Sequence, residues 1–266
     1  MSSEVFVVAA IGAAAAIASV GGGLVALWRK PTTLFMSIAL GFASGVLLAT
    51  TCFSMLPEAV KLGSLPMTVG GFAVGFAVIY AFDLFIHRGA VAGEKAEQRR
   101  RVKRFHRAHP PRGSMVTVLA GGTGVEELIE GLSIGVGSAI NPNLGLLVAL
   151  AIAIDNFSEG LAIGEVIRGT EAENGSSHRR RILLWTGGIG LAIFTAALAG
   201  WFFLRELPKP ALGFLFGTGA GGMLYLTVTN LLPEAEERQY QQLAAVMLAI
   251  GFAIVFVLSK LVEGSS

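Results

Sequence analysis

An all-α, polytopic membrane fold is predicted by three features of the sequence. The 266-residue chain is 53% hydrophobic and only 14% charged, where soluble domains carry about 25% charged residues. Its mean hydropathy is +0.68. Its apolar residues also come in continuous runs of about twenty, long enough to cross a bilayer as a helix, and not in the short alternating segments of a membrane barrel. The length fits a single transmembrane domain, residues 1–266. The one cysteine, Cys52, excludes an internal disulfide framework and a cysteine metal cluster. Lying in an apolar run, it reads as a small core residue.

Eight spans follow in order. The first, 5–28, has no basic n-region and is too long for a signal-peptide core, so it reads as a spanning helix and not as a cleaved leader. The second, 34–56, closes on "SMLPEA" (54–59), where Pro57 loosens the helix. The third is 67–87. Residues 88–113 then form a polar loop containing "EKAEQRRRVKRFHRAHPPRG". This loop reads as a cytoplasmic, lipid-facing polybasic segment that orients the chain; nucleic acid is not the expected partner. Its His106 and His109 read as solvated. The fourth and fifth spans, 115–138 and 144–166, carry acids. The sixth, 183–204, is dense in small residues ("GGIGLAIFTAALAG", 187–200), which let helices approach closely in lipid. The seventh, 211–232, closes on "NLLPEA" (230–235), and the eighth is 241–261.

With the N-terminus outside, sixteen of the twenty Lys and Arg fall on the inner side. The positive-inside rule therefore puts both termini outside.

Two internal repeats appear. "EGLSIG" (130–135) and "EGLAIG" (159–164) lie in consecutive, hence antiparallel, spans, and "SMLPEA" is echoed by "NLLPEA". Both pairs fit an inverted 3+2+3 repeat, in which spans one to three are mirrored by six to eight around a four–five core. Transporters commonly place a site near the midplane of such a repeat.

The acids give that site its chemistry. In a helix, positions i and i+4 share a face and i+3 lies close by. Glu126 and Glu130 are so related, with Glu127 three before Glu130. Asp155 and Glu159 repeat the relation, with Asn156 three before Glu159. A charged acid at mid-bilayer costs about 2.5–3.5 kcal/mol on insertion scales, and like charges side by side add to this. A bound cation removes the cost, protons also remove it, and the two can exchange. Spans four and five hold no His or Cys, so the ligands are oxygen. Oxygen suits magnesium, calcium and manganese, and takes zinc, iron and cadmium less selectively. Single acids often pair with a neighbouring hydroxyl or backbone group, but five acids at matched spacing on adjacent helices favour a cation site. Asp83 and Glu165 lie near span ends and read as solvated, while Glu58 and Glu234 read as entrance or gate groups. No enzyme is expected. Asp83 and Asp155 cannot form a facing pair, all four histidines fall on inner loops or their edges, and no prosthetic group is implied.

With these residues in hand, the chain resembles the ZIP (ZRT/IRT-like) family of divalent metal transporters, especially its small prokaryotic members. Glu126-Glu127-Leu128-Ile129-Glu130-Gly131 matches the family's fourth-span His-Asn-x-x-Glu-Gly type motif, and Asp155-Asn156-Phe157-Ser158-Glu159-Gly160 matches the fifth-span motif. "FASGVLLATTCFSMLPEA" and "GTGAGGMLYLTVTNLLPEA" are similar to the second and seventh spans. The resemblance implies a two-metal site bridged by Glu130 and Glu159. Glu126, Glu130, Asp155 and Glu159 would form one sub-site, and Glu127, Glu130, Asn156 and Glu159 the other. It implies transport of zinc, iron, manganese or cadmium into the cytoplasm across a bacterial inner membrane by alternating access. Some members form homodimers, which the glycine-rich faces would allow. The chain departs from the pattern at Glu126, where the family has histidine, at Asp155, at Ile129 and Ser158 in the proline positions, and in span six, which has no acid. Loss of imidazole favours harder or broader selectivity. The alternatives are a metal-sensing or non-transporting ZIP-like protein, or a proton-coupled carrier of another solute with the acids as a relay.

Overall fold

The computed structural model describes residues 2–86, 115–170, 175–236 and 240–264. The loop 88–113, with His106 and His109, lies outside the described residues. Those described are almost entirely helical, with no strand among them. In chain order the helices are α1 (Ser2–Trp28), α2 (Thr33–Leu62), α3 (Leu65–Ile86), α4 (Met115–Ile140), α5 (Pro142–Thr170), α6 (Gly175–Ala199, continued through a wide turn at Gly200–Leu204), α7 (Lys209–Glu236) and α8 (Gln241–Gly264). Seven of them, all but α4, are long and apolar enough to cross a membrane. The fourth expected span is a helix of 26 residues. Every 18-residue stretch of it contains Glu126, Glu127 and Glu130, so its apolar character is interrupted where the acids sit.

Two helices run further than the sequence suggests. The spans expected to end at 56 and 232 continue to Leu62 and Glu236. Proline lacks an N–H and its ring clashes with the carbonyl four residues back. Here the chain answers by widening rather than stopping. Thr51–Met55 precedes Pro57 as a π turn, and Thr227–Leu231 precedes Pro233 as another. In each the hydrogen bond reaches back five residues, from Leu56 N–H to the Thr51 carbonyl and from Leu232 N–H to the Thr227 carbonyl. Such bulges are the usual way a helix absorbs this disruption. Cys52 sits on the outer side of the first bulge and is exposed. It is therefore not the core residue its apolar surroundings suggest.

The helices sort into two groups of four. α1 packs on α5 and α6, and α4 packs on α6 and α5. α3 packs on α7, α2 on α8, and α2 and α7 on each other. The groups meet along α2–α5 and α4–α7. Glycines explain the tight seams. A Cβ on Gly75 would strike the Thr218 carbonyl, one on Gly45 the Leu248 carbonyl, and one on Gly160 the Ser19 carbonyl. Gly131 and Gly135 do the same against Ile193 and Ala197 of α6. Among the described glycines, every close approach to another helix's backbone lies inside one group. Between the groups, glycines face side chains alone: Phe216 against Gly137, Ser133 against Gly219 and Ile129 against Gly222.

A methyl group at a backbone seam has nowhere to go. Gly75→Ala is expected to destabilise by about 1–3 kcal/mol, the usual overpacking range, and to lower the melting temperature in detergent. Gly187, where a Cβ meets nothing within 4 Å, is the control. Its change to Ala should be neutral or gain up to about 1 kcal/mol in helix propensity.

Candidate metal centre

α4 and α5 form a tight antiparallel hairpin. Asn141 joins them, its Oδ1 accepting from the Asn143 N–H at 2.8 Å, and Pro142 opens α5, where a missing N–H costs nothing. Near the turn, Gly145 lies so close to Ser138 that a Cβ would overlap the serine. The hairpin brings the acidic faces of the two helices together. Glu126, Glu127, Glu130, Asp155 and Asn156 are all buried, between 0% and 4% exposed, and Glu159 is half-buried.

Glu126, Asp155 and Glu159 each offer a carboxylate oxygen, and these three atoms lie within 4.8 Å of one another. A divalent ion with metal–oxygen distances of about 2.0–2.2 Å holds its ligands about 3–4 Å apart, so small side-chain rotations would close the triad. The remaining polar atoms carry the stronger argument. Both oxygens of Glu127, both of Asp155, Oε1 of Glu130 and Oδ1 of Asn156 are buried without a hydrogen-bond donor among the described residues. Buried polar atoms are nearly always partnered, so six orphans within one acidic cluster mark a place for a ligand that supplies positive charge. The Asn156 amide nitrogen donates to the Ile152 carbonyl at 3.0 Å, which commits the nitrogen to its own helix and leaves the oxygen as the free atom.

No Lys, Arg or His is buried among the described residues. At about 4 Å, two like charges repel by about 4 kcal/mol at an effective dielectric near 20. The group therefore exists only with cations, with protons, or with both. Glu234 of α7 is within electrostatic reach of Glu159.

The hairpin brings Glu126, Asp155 and Glu159 together, Glu127 and Glu130 lie within electrostatic reach of them, and Asn156 stands next to Asp155 in the same buried stretch of α5. The outlying acids differ. Glu58 is ion-paired with Lys61 at 3.0 Å. Asp83 is not simply solvated: the buried Tyr225 donates its hydroxyl hydrogen to Asp83 Oδ2 at 2.9 Å, which ties α3 to α7. Phe76 packs edge-on to Tyr225 at 5.0 Å. Sequence spacing has no access to this bond, because its partners are 142 residues apart; only the presence of an acid inside a span hints at a partner.

A family model described as ZIP Zinc transporter matches residues 106–259 of the chain. Among curated relatives, the zinc transporter ZupT of Corynebacterium aurimucosum is 28% identical over 255 residues, covering 90% of each chain. The zinc transporter ZupT of Enterobacter sp. (strain 638) is 29% identical over 230 residues, 84% of each. That of Corynebacterium efficiens is 28% identical over 259 residues, 91% of this chain and 92% of the relative.

An ion that neutralises buried like charges stabilises the fold it binds. Adding a divalent metal at a hundred times its dissociation constant should stabilise the protein by about 2.7 kcal/mol, read as a higher melting temperature in detergent. Glu126→Gln/Glu159→Gln should abolish that shift while raising the metal-free melting temperature.

Proposed function

The chain belongs to the ZIP family of metal transporters, and from that premise we propose that it carries zinc, with iron, manganese and cadmium as further substrates, inward through the α4–α5 carboxylate cluster. It is an integral membrane transporter, not an enzyme. The observation that carries the site assignment is the convergence of six donorless buried oxygens on Glu127, Glu130, Asp155 and Asn156 beside the Glu126–Asp155–Glu159 triad. Glu126, Glu130, Asp155 and Glu159 hold one ion. Glu127, Glu130, Asn156 and Glu159 hold a second, with Glu130 and Glu159 shared between them. That the relatives are zinc transporters favours zinc. The all-oxygen donor set favours tolerance of manganese and iron.

The reading extends to topology. All eight helices span an inner membrane with both termini outside, residues 1–266 form one domain, and the 88–113 loop is cytoplasmic. Exchanging α1, α2 and α3 with α6, α7 and α8, and α4 with α5, carries the helix pairings onto themselves: α1–α5 becomes α6–α4, and α3–α7 becomes α8–α2. The matched bulges at Thr51–Met55 and Thr227–Leu231 follow the same exchange. Both facts support an inverted 3+2+3 repeat. The chain works as a monomer or as a homodimer.

Alternating access would use the two groups as units. α1, α4, α5 and α6 carry the acids and are held to one another by backbone-close glycine seams, and so are α2, α3, α7 and α8. The softer boundary between them is where motion costs least. Metal arriving from outside displaces protons from the acid cluster, the acid-bearing unit shifts, and the low metal concentration inside favours release.

Uptake into dye-loaded liposomes tests the function. Wild type should accumulate zinc and at least one of manganese, iron or cadmium, and Glu130→Ala/Glu159→Ala should lose at least 100-fold of that rate. A folded, inserted wild type that moves none of these ions would transfer the assignment to a metal sensor or to a proton-coupled carrier of another solute. Because protons compete with metal for the same oxygens, lowering external pH from about 7.5 to 5.5 should slow uptake several-fold. A pH-independent rate would sink the proton-exchange step.

A further inference from the structure

The α4–α7 seam is built unlike the seams inside each unit. At Gly219 of α7, a Cβ would overlap Ser133 Oγ and would lie 3.5 Å from Ser133 Cβ and 3.2 Å from Met55 Cε. At Gly222 it would lie 3.4 Å from Ile129 Cγ2, an ordinary contact. Gly137 of α4 faces the Phe216 ring at 3.5 Å. Among the described glycines of this seam, Gly219 is thus the one where a side chain is excluded outright. What fills the notch is rigid. Ser133 is buried, and its hydroxyl donates to the Ile129 carbonyl at 2.8 Å, which holds the rotamer. Met55, at the end of the α2 bulge, is fully buried beside it. Ser133 also sits one turn past Glu130 on the same helix, so it travels with the acids.

We propose that Gly219 is the register stop of the moving boundary, a notch in α7 that receives Ser133 and so fixes where the acid-bearing unit halts in the conformation seen here. The proposal rests on the reading of two units moving past each other. The boundary suits that role physically. Tooth and notch touch through dispersion contacts, with no hydrogen bond between α4 and α7 at Ser133, so the tooth can withdraw without breaking one. A side chain at 219 collides with the Ser133 hydroxyl and so bars this register as long as Ser133 is unchanged, while it leaves the acids untouched. Gly219 is a positioning residue; it meets no metal.

The Cβ separation of 3.5 Å lies at the short end of the disulfide range, about 3.5–4.5 Å, and this supplies the test. In a Cys52→Ser parent, Gly219→Cys together with Ser133→Cys should cross-link under mild oxidation. Zinc or manganese uptake should then fall more than tenfold and return on reduction, while binding of the same ion in detergent stays within about twofold. An absent cross-link in protein that still binds metal would overturn the notch geometry, and a cross-linked protein that transports at its reduced rate would overturn the stop. If cysteine at 219 prevents folding, the steric pair decides. Gly219→Ala should cut uptake more than tenfold, and adding Ser133→Ala, which removes the colliding oxygen, should restore it to within about threefold; failure to restore in folded protein refutes the notch. A Cys52→Ser parent that takes up no divalent ion would refute the transport reading instead, and the yield of cross-link would still decide the geometry.

Discussion

The arrangement turns on five carboxylates and an amide oxygen held on two apolar helices, with no Lys, Arg or His buried among the described residues. In water such a cluster costs little, because solvent screens each charge. Between helices in a membrane the same groups repel through a low dielectric and find no donor. In the proposed reading a species from outside the chain, a metal ion or protons, completes the site, and that requirement makes it exchangeable. A cluster already satisfied by arginine would be structural, and inert to metal.

Holding the cluster together demands rigid scaffolding, and the glycines provide it. Gly131 and Gly135 follow the acids of α4, Gly160 and Gly164 those of α5, and each pair seats its helix against a neighbour at backbone distance, α6 for the first and α1 for the second. The same hexapeptide thus does two jobs: its glutamate faces the partner acids while its glycines face the helix behind. The proline bulges in α2 and α7 do something different. They let the helix continue past Pro57 and Pro233, which carries Glu58 and Glu234 onto the same rods that line the boundary.

Much of this was legible because membrane helices obey few rules and obey them strictly. Runs of about twenty apolar residues have one outcome, and acids at i and i+4 must share a face. Glu126, Asp155 and Glu159 come within 4.8 Å of one another, as their spacing on two adjacent helices implies. Other residues misled for equally physical reasons. Cys52 lies in an apolar run, but in lipid an apolar run has an outer face as well as a core, and composition cannot tell which face a position takes. Asp83 near a helix end looks solvated until Tyr225, a distant residue on another helix, is seen to bond it. Pro57 and Pro233 look like helix ends, and become bulges because the backbone must stay satisfied in the membrane.

The sequence by itself determined the class of the protein, the order of the helices, the acid-bearing faces and the repeated motifs, because each of these follows from local periodicity and from the cost of placing polar groups in hydrocarbon. It could not determine which helix lies behind which, where backbones touch and where only side chains do, or that Ser133 enters a notch at Gly219. Those depend on the packing of surfaces far apart in the chain. In lipid, one apolar glycine-rich face looks much like another until the helices have been brought together.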